Sequence, residues 1–156
     1  LVVAHYYADS SVLVKYHVQE QGSLWVQQVF QAPLSHTIST VSISQIEVWS
    51  AFNRRVREQR LTPQDYGLLV ADFAALCASR YNLIDAAQLP LPLIRQLLEH
   101  YPLRAYDSIQ LTAALVVNTS LLTAQLSPLT FLSADTTLLS AASAEGLPTN
   151  NPNLYP

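Results

Sequence analysis

Four short runs rich in β-formers recur along this chain, and segments of helical periodicity separate them. The runs are LVVAHYYA (1–8), HTIST (36–40), YNLID (81–85) and LTFLSAD (129–135). Helices are expected over 10–18, 22–31, 43–60, 63–80, 89–101, 105–118 and 136–146. A strand that returns only after a helix pairs in parallel with its predecessor. A parallel sheet then needs helices on both faces. The expected fold class is α/β, three layers α/β/α around a mostly parallel central sheet.

Local signals sharpen this reading. Ile46, Trp49, Phe52 and Val56 recur at helical spacing and are expected to form one buried stripe. Thr62, Pro63 and Asp65 read as N-cap, first helical residue and first-turn acid. Pro33 is expected to stop the second helix, and Gly146 to close the last one. A short final strand is expected within LPTNNPNLYP (147–156). Residues 1–150 read as a single domain, with 151–156 as a C-terminal tail. No GxGxxG or GxxxxGK[ST] occurs, which excludes the standard glycine-rich phosphate loops.

Composition narrows the function classes. Half the residues are hydrophobic and only 12% are charged, so a full core is affordable and a partner is expected to cover part of the surface. The net charge of −3 provides no global basic field for nucleic acid. Any such binding has to use a local patch or a metal. The one cysteine, Cys77, fits a reducing, cytoplasmic location. No apolar run is long enough to span a membrane, and LVVAHYYADSS lacks a basic leader, so no signal peptide is expected.

Four acids fall where helices begin. Asp9 and Asp135 each follow a strand, Glu47 opens the long third helix, and Asp107 lies in LRAYDSIQL. Each has a local explanation. Asp9 and Asp135 suit N-caps, Ser44 with Glu47 fits an S-x-x-E capping box, and Asp107 favours the helix dipole. Yet a parallel sheet brings strand C-termini and helix N-termini to one edge, where ligands bind. Four carboxylates there would repel one another and raise their pKa values unless a divalent cation sat among them. Mg²⁺ and Mn²⁺ take oxygen ligands, and such ions catalyse phosphodiester hydrolysis. No Cys/His cluster offers a zinc site instead.

These stretches carry a resemblance. YYADSSVLVKYHVQEQGS, ISQIEVWSAFNRRVREQRLTPQD, LRAYDSIQLTAAL and FLSADTTLLSAASAEGLPTNNP resemble, in order and over nearly the whole chain, the PIN-domain family, specifically VapC-like toxins of bacterial toxin–antitoxin pairs. The resemblance implies a PIN-like α/β/α fold and a Mg²⁺- or Mn²⁺-dependent ribonuclease. Asp9, Glu47, Asp107 and Asp135 would serve as catalytic metal ligands. Ser10 and Ser133 would be hydroxyls beside the acids, hydrogen-bonding ligands from behind. The resemblance also implies an antitoxin partner and commonly a homodimer. Two positions depart from it. Thr136 and Thr137 stand where some members carry a further acid, and Gln110 stands where many have His.

Other residues are weighed alongside. Arg54, Arg55, Arg57 and Arg60 form the only basic cluster. Arg54 shares a face with Glu47 and is a candidate RNA phosphate contact, against a solvated face with an Arg54–Glu58 pair. Arg104 is a candidate for the same role or for orienting Asp107. Lys15 is expected to be exposed, and Glu20 and Asp72 to be caps or solvated charges. The leading expectation is a metal-dependent endoribonuclease. The alternative is a degenerate PIN module that binds RNA or protein without cleavage. Receiver domains need an acidic pair and a late lysine, and dehalogenase-like phosphatases need D-x-D. Neither pattern is present.

Overall fold

The structure, a computed structural model, describes residues 3–32 and 36–156. The expected stop at Pro33 and the first two residues of the first strand-like run lie outside these. In chain order the elements are β1 (His5–Ala8), α1 (Ser10–His17), α2 (Ser23–Gln31), β2 (Thr37–Val41) and α3 (Ser44–Arg57). They continue with α4 (Pro63–Ser79), β3 (Tyr81–Ile84), α5 (Leu91–His100) and α6 (Ala105–Thr123). β4 (Thr130–Leu132), α7 (Thr136–Ala144) and β5 (Thr149–Asn150) complete the fold, with 3₁₀ turns at Ala86–Gln88 and Pro152–Leu154.

The five strands form one parallel sheet in the order β3-β2-β1-β4-β5. The central strands β1 and β4 are short and largely buried, and their side chains alternate between two cores. Tyr7 and Phe131 point to one face, where they stack with centroids 5.4 Å apart, and meet Leu97 of α5, Leu111 of α6 and Leu138 of α7. Ala8 and Leu132 point to the other, against Val12 of α1, Phe30 of α2, Phe52 of α3 and Phe73 of α4. The result is the three-layer α/β/α architecture. Among the described residues no helix is long and apolar enough to cross a membrane.

Helix ends follow local backbone chemistry. Thr62 caps α4, accepting the Asp65 N–H at 3.0 Å. α3 ends at Arg57, short of the expected 60, because Gln59 turns left-handed at φ 57°. The Arg60 N–H then bonds the Arg55 carbonyl at 2.8 Å and the Gln59 N–H that of Val56 at 3.0 Å, a Schellman ending. α6 runs on to Thr123 and closes the same way through Gln125. α7 uses Gly146, at φ 89°.

The expected stripe on α3 is corrected. Its buried face is Ser44, Val48, Phe52 and Arg55, while Ile46 is 54% and Trp49 38% exposed. Val48 and Phe52 are four residues apart and meet α1 and α4 beneath them. Ile46 and Trp49 lie to the side, where no described element covers them fully.

The C-terminal residues 151–156 pack back on α2. Tyr155 stacks on Trp25 with ring centroids 4.5 Å apart, and its backbone carbonyl accepts from the Gln21 side chain. Gly22, at φ 80°, lies so close to the Pro152 carbonyl that a Cβ there would collide with it.

Candidate active site

The sheet order reverses at β1. The chain leaves β1 for β2 and β3 on one side, and returns to β4 and β5 on the other. A crevice opens at the C-terminal ends of β1 and β4, the place where open α/β sheets bind ligands. Asp9 follows β1 directly, and its N–H bonds the Leu132 carbonyl of β4 at 3.2 Å. This pins the carboxylate to the crevice.

Asp9 does cap α1, accepting the Val12 N–H at 3.1 Å. It does more than cap. The Ser11 hydroxyl donates to the same oxygen at 2.6 Å, and the Ser133 hydroxyl, from the far end of β4, donates to the other. The carboxyl is only 4% exposed. Burial, partly offset by those three donors, pushes its pKa up to about 6, and the charge on Glu47 pushes the same way. Ser133 Oγ also accepts the Asp135 N–H at 3.0 Å, so one hydroxyl ties Asp9 to Asp135.

The expected capping box of Ser44 and Glu47 does not form. Ile43 is the N-cap and has no side-chain oxygen to give. Ser44 is buried in the first turn, where its hydroxyl accepts from Thr40 at 2.8 Å and from the Gln110 amide at 2.9 Å. Glu47 is thereby left for the crevice. Ser10 donates to one of its oxygens at 2.9 Å and Gln110 to the other at 2.8 Å. Ser10 thus supports Glu47, while Ser133 supports Asp9.

Asp107 accepts the Arg104 N–H at 3.2 Å, a capping bond at the start of α6. The Arg104 guanidinium then bridges two acids, with Nε 3.1 Å from Asp107 and Nη2 3.5 Å from Asp135. Asp135 also caps α7 through the Thr137 and Leu138 N–H groups. Asp107, Asp135 and Glu47 all stabilise the Arg104 charge and raise its pKa. The four acids therefore share one electrostatic neighbourhood, and three of them also cap helices.

A cleft of about 490 Å³ opens beside them between α1 and α3, with Ser10, Glu47 and Arg104 at its acidic end. Its other end corrects three expectations. Lys15 is 5% exposed rather than solvated, and Arg55 is 8% exposed. Both cations meet Glu20, Lys15 at 3.2 Å and Arg55 at 2.7 Å, so Glu20 is an ion-pair hub and not a solvated charge. The Arg54–Glu58 pair is absent: Glu58 faces Arg60 at 3.5 Å, and Arg54 lines the cleft. Asp72 is exposed, as expected of a solvated charge, and it also faces the enclosed His17 at 3.1 Å.

Sequence reasoning missed Ser11 and Lys15 as parts of this region, and it gave no role there to Gln110, noted only as a departure from the family pattern. Ser11 was findable, because a hydroxyl two residues after a capping acid often bonds back to it. Nothing local marks Lys15.

The donor chemistry suits a hard divalent ion, since the acids and Ser10, Ser11 and Ser133 present only oxygen. Arg104 already supplies a positive charge between Asp107 and Asp135. Among the described residues no three His, Cys, Asp or Glu side chains converge into a ready ligand set. Mg²⁺ does not require one, because it is commonly held by one or two carboxylates with water completing its shell.

No protein-family model matches the sequence, and no curated protein matches it. Solved structures do share its fold. PAE2754 from Pyrobaculum aerophilum is 16% identical with a TM-score of 0.61, over 96% of this chain and 92% of that one. VapBC2 from Rickettsia felis, bound to a DNA fragment from its promoter, is 13% identical with a TM-score of 0.59, over 94% of this chain and 98% of that one. A toxin–antitoxin complex from Klebsiella pneumoniae is 18% identical with a TM-score of 0.57, over 94% and 97%. The chain shares the fold of these structures, and that fold is the three-layer α/β/α architecture expected from the sequence.

Proposed function

We propose that this chain is a PIN-domain toxin, an endoribonuclease that hydrolyses RNA phosphodiester bonds at Asp9, Glu47, Asp107 and Asp135 with Mg²⁺ or Mn²⁺. One observation carries the reading. Four acids from four separate stretches stand in one electrostatic neighbourhood at the switch point of the sheet, and Asp9 is buried there with its pKa raised to about 6. A helix cap needs neither burial nor carboxylate neighbours.

The chain's own groups divide the work. Asp9, Glu47, Asp107 and Asp135 would hold the ion, with Ser11, Ser133, Ser10 and Gln110 fixing the orientation of Asp9 and Glu47. When bound, a divalent ion supplies positive charge against the phosphoryl oxygens and lowers the pKa of water. Arg104, 80% exposed at the cleft mouth, is placed to leave its acids for a substrate phosphate.

The partners follow from the same reading. Two of the solved structures sharing the fold are named as VapBC2 and as a toxin–antitoxin complex. A cognate antitoxin is proposed here too, in the cytoplasm, together with a homodimer. Leu24 of α2, Ile46 and Trp49 of α3 and Leu68 of α4 are exposed apolar residues that such contacts would cover. A strict monomer by sedimentation at high micromolar concentration would count against the homodimer.

A second reading, a module that binds RNA or protein without cutting, is favoured by Arg104 already bridging Asp107 and Asp135. Incubating purified protein and RNA with Mn²⁺ or with EDTA separates the two. The nuclease reading expects cleavage in Mn²⁺ alone, lost in Asp9→Asn and Asp107→Asn while both stay folded. Cleavage by either variant at the parent rate would remove the assigned site.

A further inference from the structure

The cleft has a second end that the proposed chemistry does not use. Its lining carries Lys15, Arg54, Arg55 and Arg104 against Glu20 and Glu47. In a chain of net charge −3 this is a local excess of cation. Arg104 belongs to the acidic end. Of the remaining three, Lys15 and Arg55 gather around the single carboxylate of Glu20, and Arg54 lines the same cleft.

Their hydrogen bonding is incomplete. Lys15 has three N–H donors and uses one on Glu20 and one on the Gln21 carbonyl at 2.8 Å. Arg55 gives one bond to Glu20 and one to the Ala51 carbonyl at 3.1 Å, and its Nε is buried with no partner. Arg54 is exposed and makes no ion pair among the described residues. Glu20 thus neutralises one of three charges. Holding two buried cations on one carboxylate is costly unless a further anion shares them.

The two ends are separated along the helices. α1 and α3 both start at the carboxylate edge and run away from it, with Ser10 and Lys15 on one and Glu47 and Arg54 on the other. At about 1.5 Å per residue, the step from acidic to basic end is roughly 7 to 11 Å. That separation is enough for the two ends to engage different phosphates of one strand.

We propose that Lys15, Arg54 and Arg55 form a second phosphate site, which holds the backbone of a single RNA strand farther along the cleft from the bond at the carboxylates. This deepens the nuclease reading and rests on it for the identity of the ligand. Lys15 and Arg55 are the rigid base, fixed by Glu20, and Arg54 is the exposed arm that closes on the phosphate.

The test measures binding of a fluorescein-labelled single-stranded RNA by anisotropy, in EDTA, across a salt series. Arg54→Gln is compared with Arg57→Gln, an exposed change on the same helix away from the cleft. Arg54→Gln should weaken binding roughly fivefold at about 0.1 M salt and flatten the log–log salt slope by about 0.7, the loss of one single-strand phosphate contact. Arg57→Gln should match the parent. Lys15→Gln, checked by near-ultraviolet circular dichroism, should weaken binding as well, and Arg54→Gln alone decides the matter where Lys15→Gln unfolds. Equal binding by the Arg54 and Arg57 variants overturns the second site. Because binding is read without metal, a selective loss in Arg54→Gln supports the site even where the parent fails to cleave in Mn²⁺. Cleavage by the parent with unchanged Arg54→Gln binding would sink the site and spare the nuclease reading.

Discussion

The Gln110 amide donates to Glu47 at 2.8 Å, joining the buried middle of the site to its open edge across 63 residues of sequence. Gln110 is 2% exposed and fully engaged. It also donates to Ser44 at 2.9 Å and accepts the Tyr7 hydroxyl at 2.7 Å. One side chain therefore ties β1, α3 and α6 together and sets the direction of a proposed metal ligand. It holds no proton that titrates near neutral pH, so its role is positional.

Gln110→Leu is expected to keep the volume and lose all three bonds. Tyr7 would keep a buried hydroxyl without its Gln110 acceptor, a cost of about 1–3 kcal/mol. Urea denaturation should show a lower midpoint with an unchanged slope. RNA cleavage in Mn²⁺ should fall further than the loss of folded protein explains, because Glu47 is released. A variant as stable and as active as the parent would show that Gln110 only fills space.

The pH dependence of stability provides a metal-free test of Asp9. Its folded pKa is about 6 against an ordinary 3.8, so the folded state binds the proton more tightly than the unfolded state. The stabilisation from this proton is complete below the ordinary value and is lost as pH rises through about 6. The full swing is about 3 kcal/mol, of which roughly 1.4 kcal/mol falls between about pH 5 and about pH 7.5. In EDTA the parent should therefore lose stability relative to Asp9→Asn over that interval, whereas saturating Mn²⁺, which competes with the proton, should reverse the trend. Parallel pH profiles for the two proteins would return Asp9 to the role of helix cap.

The order of elements was legible because each strand is a compact β-rich run and most helices carry a cap or a stop in their own sequence. Thr62–Pro63 and Gly146 are examples, where the signal and the structure lie within a few residues of each other. The burial of α3 was not legible. Ile46 and Val48 are equally apolar, and only the positions of α1 and α4 decide that Val48 goes inside. The same holds for charge. Lys15 and Arg55 read as surface residues until Glu20 is seen to reach both, and that pairing spans 35 residues in the case of Arg55. The acids Asp9 and Asp135 were visible as caps and Asp107 as a first-turn acid, and all three accept backbone N–H groups at helix starts. Their meeting at one edge depends on the strand order, which no local signal encodes.

Gly22→Ala provides a check on the tail. The new Cβ would meet the Pro152 carbonyl, and φ 80° is strained for alanine. The segment after Asn151 should detach from α2, freeing Trp25 from its stack with Tyr155. Tryptophan fluorescence should shift to the red, and limited proteolysis should clip the C-terminal residues first. The parent spectrum with the parent cleavage pattern would mean that α2 adjusts instead.

Arg104 offers the sharpest test of whether a divalent ion belongs at these carboxylates. Its guanidinium lies 3.1 Å from Asp107 and 3.5 Å from Asp135, where a second cation would have to compete with it. The side chain is 80% exposed, so releasing it costs little. Arg104→Gln should therefore have two opposite effects. In EDTA the carboxylates lose a neutralising partner, and the melting temperature should drop slightly. In a Mn²⁺ series the competitor is gone, and the variant should bind the ion more tightly than the parent. Its melting temperature should begin to rise at lower Mn²⁺, with a gain following RT ln(1 + [L]/Kd), about 2.7 kcal/mol at about a hundredfold excess over Kd. Adding Asp107→Asn to the Arg104 variant should abolish most of that gain, because the charge that held the ion is gone as well. Identical Mn²⁺ curves for the parent and Arg104→Gln would mean that the ion does not compete for Asp107 and Asp135. The reading of a module that binds without cutting would then take the lead.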